Sequence, residues 1–429
     1  MHIVLIVGSY YPYYSAVGRC AGNIAQELEK NNKVTVICLK NNELQLSYEK
    51  LSKHDIIRVD TKDISMRNRL KMNIKARKGI IKKFYRAADN LYKIRSALKT
   101  ILSYTSVNNQ LRDAYIHAIE KISSPIDVIV PFSLPFESVL AASKYIENID
   151  REVKLIPFLF DQFVNSQTLH RSEINKKFKK SRHLKLEKEM LNLSFNVLAM
   201  HSLKKHFELH FPGNLGKIKF VEHPLILDKN KKSEGEKYPN KPLIISYVGG
   251  LYKRYVTPEY LFKIFKSANN VNSILNFYII GNCNEMVNKY SGYFPGKIVN
   301  HGSVDKETAD QAISESDILV SIAEKEGIQM SSKIFDYISN KKPIIHLYTV
   351  QNDVNLKILN KYPLSLCLQQ DNSKIKENSI KYEEFCEKIF DLSISFEEIK
   401  ELFTDALPSY SAELILSLAT TIHPSKRVN

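Results

Sequence analysis

The sequence predicts an α/β protein made of two doubly wound domains that face a central cleft. Three observations carry that expectation. Short apolar runs alternate with helix-periodic segments, 429 residues suffice for two or three domains, and a polar stretch at 228–242 interrupts the pattern near the middle.

The runs in the first half are Ile3–Val7, Val34–Leu39, Val128–Pro131, Leu155–Leu159, Val197–Met200 and Ile218–Val221. Runs this short and continuous suit parallel strands covered by helices on both faces. Between the first two, Ala21, Ile24, Ala25 and Leu28 recur at helical spacing, which makes a βαβ unit. Residues 228–242 hold charge, Gly, Asn and two prolines, and read as an exposed linker. Strand-like runs resume at Leu243–Val248, Leu275–Ile280, Ile298–Val299, Ile318–Ile322 and Ile344–Leu347. The expected organisation is therefore an N-terminal domain over 1–227 with a basic helical insertion at about 62–120, the linker, a second domain over 243–405, and a closing helix within 406–429 that packs toward the first domain. Ligands of such sheets bind beyond the carboxyl ends of the strands, so function belongs in the loops that follow them.

Composition narrows the classes. With 44 % hydrophobic and 25 % charged residues the chain is an ordinary globular one, not disordered, collagen-like or coiled-coil. Lys and Arg exceed Asp and Glu to a net +16, which calls for an anionic partner: nucleic acid, a phosphorylated small molecule or an acidic membrane face. Five scattered cysteines with no CxxC pair argue for a reducing compartment. No run has the ~20 apolar residues of a membrane span. The opening apolar run stops at Gly8-Ser9-Tyr10-Tyr11-Pro12 and reads as a buried strand, so a cytoplasmic protein is expected, either free or held at the inner face of the cell membrane.

Much of the charge sits in one place. Residues 62–99 hold thirteen Lys and Arg against Asp63 and Asp89. Within them Ile80, Ile81, Phe84, Tyr85, Ala88, Leu91 and Tyr92 fall on one helical face. Such a helix either packs that stripe onto its own domain or lies on an anionic bilayer, where each Lys or Arg contributes ~1 kcal/mol. A nucleic-acid partner is not expected, because no zinc finger, RRM signature or helix-turn-helix is evident.

Four segments of the second half carry chemistry. Gly249-Gly250-Leu251-Tyr252-Lys253-Arg254 follows a strand, and its glycines let a ligand approach the backbone while Lys253 and Arg254 neutralise a diphosphate. Gly281-Asn282 and His301-Gly302-Ser303-Val304 follow the next two strands. Glu324 to Tyr337 then runs from a polar loop into a helix capped by Ser331 or Ser332, whose amides and dipole suit phosphate. Asp336 lies one turn beyond Lys333, so the two either face one ligand or form a surface ion pair.

Ser331-Ser332-Lys333-Ile334-Phe335-Asp336-Tyr337, continuing to Lys342-Pro343-Ile344-Ile345, resembles the PSKxFEY…GKPI signature of bacterial GT-B glycosyltransferases, in the retaining branch that builds capsule, exopolysaccharide and O-antigen chains. Tyr11-Pro12 with Gly18, the Gly249–Arg254 segment, Gly281 and His301–Val304 occur in that family's order. The resemblance implies a fold of two Rossmann-like domains. It implies that Lys253 or Arg254, with Lys333, Ser331, Ser332 and the helix amides, holds the nucleotide diphosphate beside Gly249 and Gly250. Asp336 stands where the family binds the ribose, and His301 to Val304 beside the base, near Gly281 and Asn282. Glu326, Gly327 and Gln329 surround the donor sugar, so that Lys253, Arg254, Lys333 and Glu326 form the catalytic set. Gly18, Asp161 and His201 lie on the acceptor side. The sequence departs from the signature at Ser331, at Asp336 and at Lys341, and Ile328 stands eight positions before Asp336 where the wider family has a glutamate.

The implied activity is transfer of a hexosyl or N-acetylhexosaminyl group from a nucleotide-sugar, UDP-linked in expectation, to a surface polysaccharide or glycolipid. No cofactor is expected, and no metal, because no Asp-x-Asp is present. Retention follows from the resemblance; inversion needs a base, for which Asp161 and His201 are the candidates. The rivals are a nucleotide-sugar epimerase of the same fold and a non-catalytic subunit that binds a partner enzyme or glycan.

Overall fold

A computed structural model of the chain describes residues 1–421 except 13, 230–240, 269–270 and 329. They form two compact units, one from Met1 to Pro224 joined by the Pro408–Thr420 helix, the other from Leu225 to Leu407. Most of the expected linker lies outside the described residues. The division comes before it, because Leu225 and Ile226 are buried within the second unit.

In the first unit β1 (His2–Ile6), β2 (Lys33–Leu39), β3 (Tyr48–Leu51), β4 (His54–Val59), β5 (Val128–Pro131) and β6 (Lys154–Leu155) form one sheet, ordered β3-β4-β2-β1-β5-β6. All its pairs are parallel except β3 with β4. A three-stranded parallel sheet follows from β7 (Phe158–Leu159), β8 (Val197–Met200) and β9 (Ile218–Val221). The expected strand Leu155–Leu159 is thus two short strands. Pro157 separates them, since it has no amide to donate to a ladder, and the chain changes sheet there. Strands β3 and β4 lack a continuous apolar run, because charged residues break their pattern; Arg58 of β4 is nonetheless buried and donates to the carbonyls of Leu46 and Tyr11.

Every residue of β1 and β5 is buried, as a doubly covered parallel strand requires. The Ala16–Leu28 helix begins at Ser15, whose hydroxyl accepts from the Gly18 amide at 3.0 Å. A Cβ on Gly18 would stand 2.0 Å from the Ser9 carbonyl oxygen, so glycine is what lets this helix pack on the loop after β1. The Pro408–Thr420 helix packs against Ala16–Leu28, and Lys154 Nζ donates to the carbonyls of Ala419 and Thr421, each at 2.6 Å.

The segment between β4 and β5 forms helices Lys62–Ala76, Gly79–Leu102 and Asn109–Glu120. The third enters the core through Leu111, Tyr115 and Ile119; in Gly79–Leu102 only Asp89 is buried. The apolar stripe expected on that helix is divided. Tyr85, Ala88 and Tyr92 are half-buried, whereas Ile80, Ile81, Phe84 and Leu91 are exposed.

The second unit is one parallel sheet of six strands: β10 (Leu243–Leu251), β11 (Ser273–Gly281), β12 (Ile298–Gly302), β13 (Ile318–Ile322), β14 (Ile344–Tyr348) and β15 (Ser365–Gln369). Their order is β12-β11-β10-β13-β14-β15, so the winding reverses between β10 and β13. Its core gathers Tyr247, Phe262, Phe277, Val320 and Leu347.

Candidate functional site

In a sheet of this order, the crevice at the reversal opens beyond the carboxyl ends of β10 and β13. The chain brings two features together there. Strand β10 runs on through Gly249 and Gly250 to Leu251, longer than the apolar run suggested, because both glycines stay in register with Ile279 and Ile280 of β11. From β13 a loop leads into the Ser332–Ser339 helix, whose first turn carries Lys333.

Lys333 lies back across the strand. A Cβ on Gly249 would stand 1.5 Å from Lys333 Nζ and 2.3 Å from Cε, and Gly249 has φ +147°, a conformation that side chains rarely adopt. Successive strand residues face opposite ways, so the next glycine serves another neighbour: the Tyr252 ring fills the space over Gly250 and reaches that over Gly281. The Lys333 ammonium stands 5.1 Å over the Tyr247 ring. Among the described residues no carboxylate pairs with it. Burial brings its pKa down to about 8, with Asp336 acting weakly the other way. Tyr247 donates to the Gly250 carbonyl at 2.7 Å, and Tyr337, one helical turn past Lys333, reaches that of Val248 at 3.4 Å. Two buried tyrosines therefore tie the backbone of this strand end.

Ser331 stands at the cap position of this helix, yet its hydroxyl makes no capping hydrogen bond. The loop is held by residues that the sequence did not single out. The Ser331 amide donates to Asn355 Oδ1 at 2.8 Å, and Asp353 Oδ1 accepts from both the amide and the side chain of Asn355, each at 2.8 Å. Both side chains are buried. Burial raises the Asp353 carboxyl, but His346 and Asn355 outweigh it and hold it below its ordinary range.

The other expected donor residues take various places. Gly327 is buried with φ +64°, and a Cβ there would meet Val350 Cγ2 at 2.5 Å and Asp353 Cα at 3.1 Å. It thus packs the loop onto its neighbour, and its carbonyl accepts from the Val354 amide. Glu326 is exposed, Ser332 opens the helix, and Gln329 lies outside the described residues. Asp336 is half-buried, and its carboxylate stands 3.7 Å from Lys229 Nζ. Lys253 and Arg254 occupy an exposed turn closed by a bridge between Tyr252 and Val256. Lys253 Nζ lies 3.5 Å from Glu285, and the Lys253 amide donates to Asn282 Oδ1 at 2.8 Å. The Arg254 guanidinium stands 5.6 Å over the Tyr255 ring.

Gly281 ends β11, where a Cβ would stand 2.1 Å from the Leu251 carbonyl oxygen. His301 belongs to β12 itself, not to a loop after it. Its Nε2 bonds Asn276 Oδ1 at 2.9 Å, its ring stacks on Tyr278 with centroids 4.2 Å apart, and burial lowers its pKa. Val304 is half-buried in the loop beyond.

The residues expected on the acceptor side belong to the first unit. Gly18 is a packing residue of its helix, as above. Asp161 follows β7 and is exposed; crowding by neighbouring atoms desolvates its carboxyl and raises it above the ordinary range, with the His223 charge acting against that. His201 is exposed at the start of the 3-10 turn His201–Leu203, beside the Phe220 ring. Among the described residues no group of three or more His, Cys, Asp or Glu is arranged to hold a metal, and no helix is long and apolar enough to cross a membrane.

No family model matches the chain, and no curated protein matches its sequence. Solved structures do share its architecture. The lipopolysaccharide outer core galactosyltransferase WaaB, in its apo form, aligns with a TM-score of 0.55 at 13 % identity, over 98 % of this chain and 99 % of its own. WaaG, a glycosyltransferase involved in lipopolysaccharide biosynthesis, gives 0.52 at 13 % identity over 96 % and 99 %. A trehalose-6-phosphate structure from E. coli, bound with UDP-2-fluoro glucose, gives 0.56 at 10 % identity over 98 % and 100 %. Two doubly wound units with these likenesses show that the chain has the GT-B fold.

Proposed function

We propose that this protein is a glycosyltransferase that moves a hexosyl or N-acetylhexosaminyl group from a UDP-sugar to a surface polysaccharide or glycolipid in the cytoplasm, with retention and without a metal. The observation that carries the reading is Lys333: a cation that no carboxylate among the described residues pairs with, laid over Gly249 at the reversal of a doubly wound sheet. The fold shared with WaaB and WaaG supports transfer to a glycan, and the neighbour bound with UDP-2-fluoro glucose supports the donor class.

Breaking the bond between the anomeric carbon and the phosphate oxygen leaves the electron pair on that oxygen, while positive charge grows on the sugar ring. Lys333 and the amides at the start of its helix stabilise the growing phosphate charge, and do so best where water is scarce. With retention, the acceptor oxygen bonds to the anomeric carbon on the face being vacated, and its proton passes to the leaving phosphate. No side-chain nucleophile is then needed. Lys253 and Arg254 add charge from the turn after β10 when the donor is bound.

The test is a melting-temperature screen of nucleotides and nucleotide-sugars, followed by turnover assays with glycolipid acceptors. A ligand selective for the folded form raises the melting point. UDP and a UDP-sugar are expected to do so, and Lys333→Met to remove the rise. A protein indifferent to every nucleotide would sink the reading. Conversion of a UDP-sugar to its epimer without acceptor would replace transfer with epimerisation.

A further inference from the structure

Among the described residues, one side of the Gly79–Leu102 helix is exposed. Its inner side packs on Lys62–Ala76, where Tyr92 Oη donates to the Asp63 carbonyl at 3.3 Å and Lys99 lies 3.7 Å from the Asp63 carboxylate. On the outer side Ile80, Phe84, Leu91, Leu98 and Leu102 fall within roughly 40° of one line at 3.6 residues per turn. They are exposed by 84, 69, 68, 52 and 83 % respectively.

The end of this helix meets a second element. Lys179 Nζ, from the Glu173–Leu193 helix, donates to the Thr100 carbonyl at 2.5 Å, and Arg182 donates to that of Tyr104 at 3.0 Å. The Arg182 guanidinium stands 4.1 Å over the Tyr104 ring and 5.0 Å over Phe178. Tyr104, Phe178 and Ile174 are themselves exposed, so the apolar strip runs past Leu102 onto the neighbouring helix. Basic residues dominate both elements: thirteen against two acidic over 62–99, and five against one over 173–182.

A contiguous exposed apolar strip bordered by cations marks an interaction surface. Its chemistry selects the partner. Nucleic acid rewards cations and aromatic rings, but isoleucine and leucine offer a base nothing to stack or bond with. Acyl chains below a layer of phosphates satisfy both the aliphatic line and its basic border.

We propose that the outer side of Gly79–Leu102, extended by Ile174 and Phe178, docks on an anionic phospholipid surface. The helix lies along it with Ile80, Phe84, Leu91 and Leu98 among the acyl chains and the flanking Lys and Arg at the phosphates. This stands apart from the transferase reading, since it is tested by binding alone.

The chain has no tryptophan, so a single introduced one reports locally. Phe84→Trp and Leu91→Trp, made in the full chain, are mixed with vesicles of phosphatidylglycerol and phosphatidylcholine, and with vesicles of phosphatidylcholine alone. Their emission should move to the blue with the anionic vesicles only, and lipids brominated on the acyl chain should quench it. Tyr293→Trp, on an exposed residue of the second unit, should keep its emission. Phe84→Glu with Leu91→Glu should weaken vesicle binding by ~tenfold or more, and added salt should weaken it further. Unshifted emission from folded Phe84→Trp and Leu91→Trp proteins with anionic vesicles, or equal binding to neutral ones, would overturn the proposal. A blue shift caused by RNA would give the face to nucleic acid, and one that grows with protein concentration alongside a dimer mass would give it to a second copy.

Discussion

The ammonium of Lys333 occupies the space that a Cβ on Gly249 would need, 1.5 Å from where that atom would be built. Two residues 84 positions apart thus define one feature, because the sheet reverses its winding between the strands that lead to them.

Gly249→Ala should therefore act on ligand binding through Lys333. The new methyl forces the lysine off the strand, and φ +147° adds backbone strain of about 1–3 kcal/mol. UDP affinity measured by calorimetry should fall at least as far as in Lys333→Met, with a modest loss of melting temperature. Unchanged affinity would show that the lysine's seat on Gly249 is irrelevant to the nucleotide.

Lys333 makes binding depend on pH. Its pKa of about 8 lies below the ordinary lysine value, so the ligand-free ammonium loses its proton as pH rises through 8. UDP affinity should decline across that range, and Lys333→Arg should remove the decline because a guanidinium keeps its charge. Stability runs the other way. Between about 8 and the unfolded value of about 10.5 the unfolded chain binds more protons, so folding gains from rising pH, and Lys333→Met should lack that gain.

Asn355 is expected to position the helix without touching the donor. Asn355→Ala removes the acceptor for the Ser331 amide and leaves Asp353 short of a side-chain donor, at a cost of about 1–3 kcal/mol in urea unfolding. Turnover should fall with it, and Asn355→Asp, which keeps an acceptor but sets a second buried carboxylate against Asp353, should not recover the loss. A stable, fully active Asn355→Ala protein would refute the positioning role.

In the first unit His183 is buried against the stacked ring of His170, 4.5 Å away, and accepts from the Ser106 amide at 3.1 Å. Burial, then the charges of His170, Lys179 and Arg182, brings its pKa down to about 3. Between that value and the unfolded one of about 6.5 the unfolded chain holds more protons, so stability is lost as pH falls from 6.5. Urea midpoints at pH 7 and pH 5 should differ less in His183→Gln than in the wild type.

Much of the second unit was legible from local pattern. The runs ending at Val248 and Ile322 fall within strands of the structure, and glycines after the first, with a polar loop after the second, mark where a parallel sheet exposes backbone. The roles inside that site were less legible. Gly327 falls in the loop that the resemblance puts around the donor sugar, and nothing in its residue type announces that Val350 and Asp353 pack against it. Asn355 and Asp353 carry no motif at all; their importance arises from a turn that returns beneath the helix start. The stripe on Gly79–Leu102 was visible as periodicity, but periodicity does not say which apolar residues meet Lys62–Ala76 and which meet solvent.

By itself the sequence determined the alternation of strands and helices, the concentration of positive charge before Leu102, and the order of the glycine segment and Lys333. Those are properties of neighbours along the chain, set by hydrophobic period and residue type. Only the tertiary structure decided that Lys333 lies on Gly249, that Asp336 turns to Lys229 and Lys253 to Glu285, and that Phe178 prolongs the exposed strip of a helix some eighty residues earlier. Such pairings depend on how far the chain travels before it meets itself, and no local pattern of residues encodes that distance.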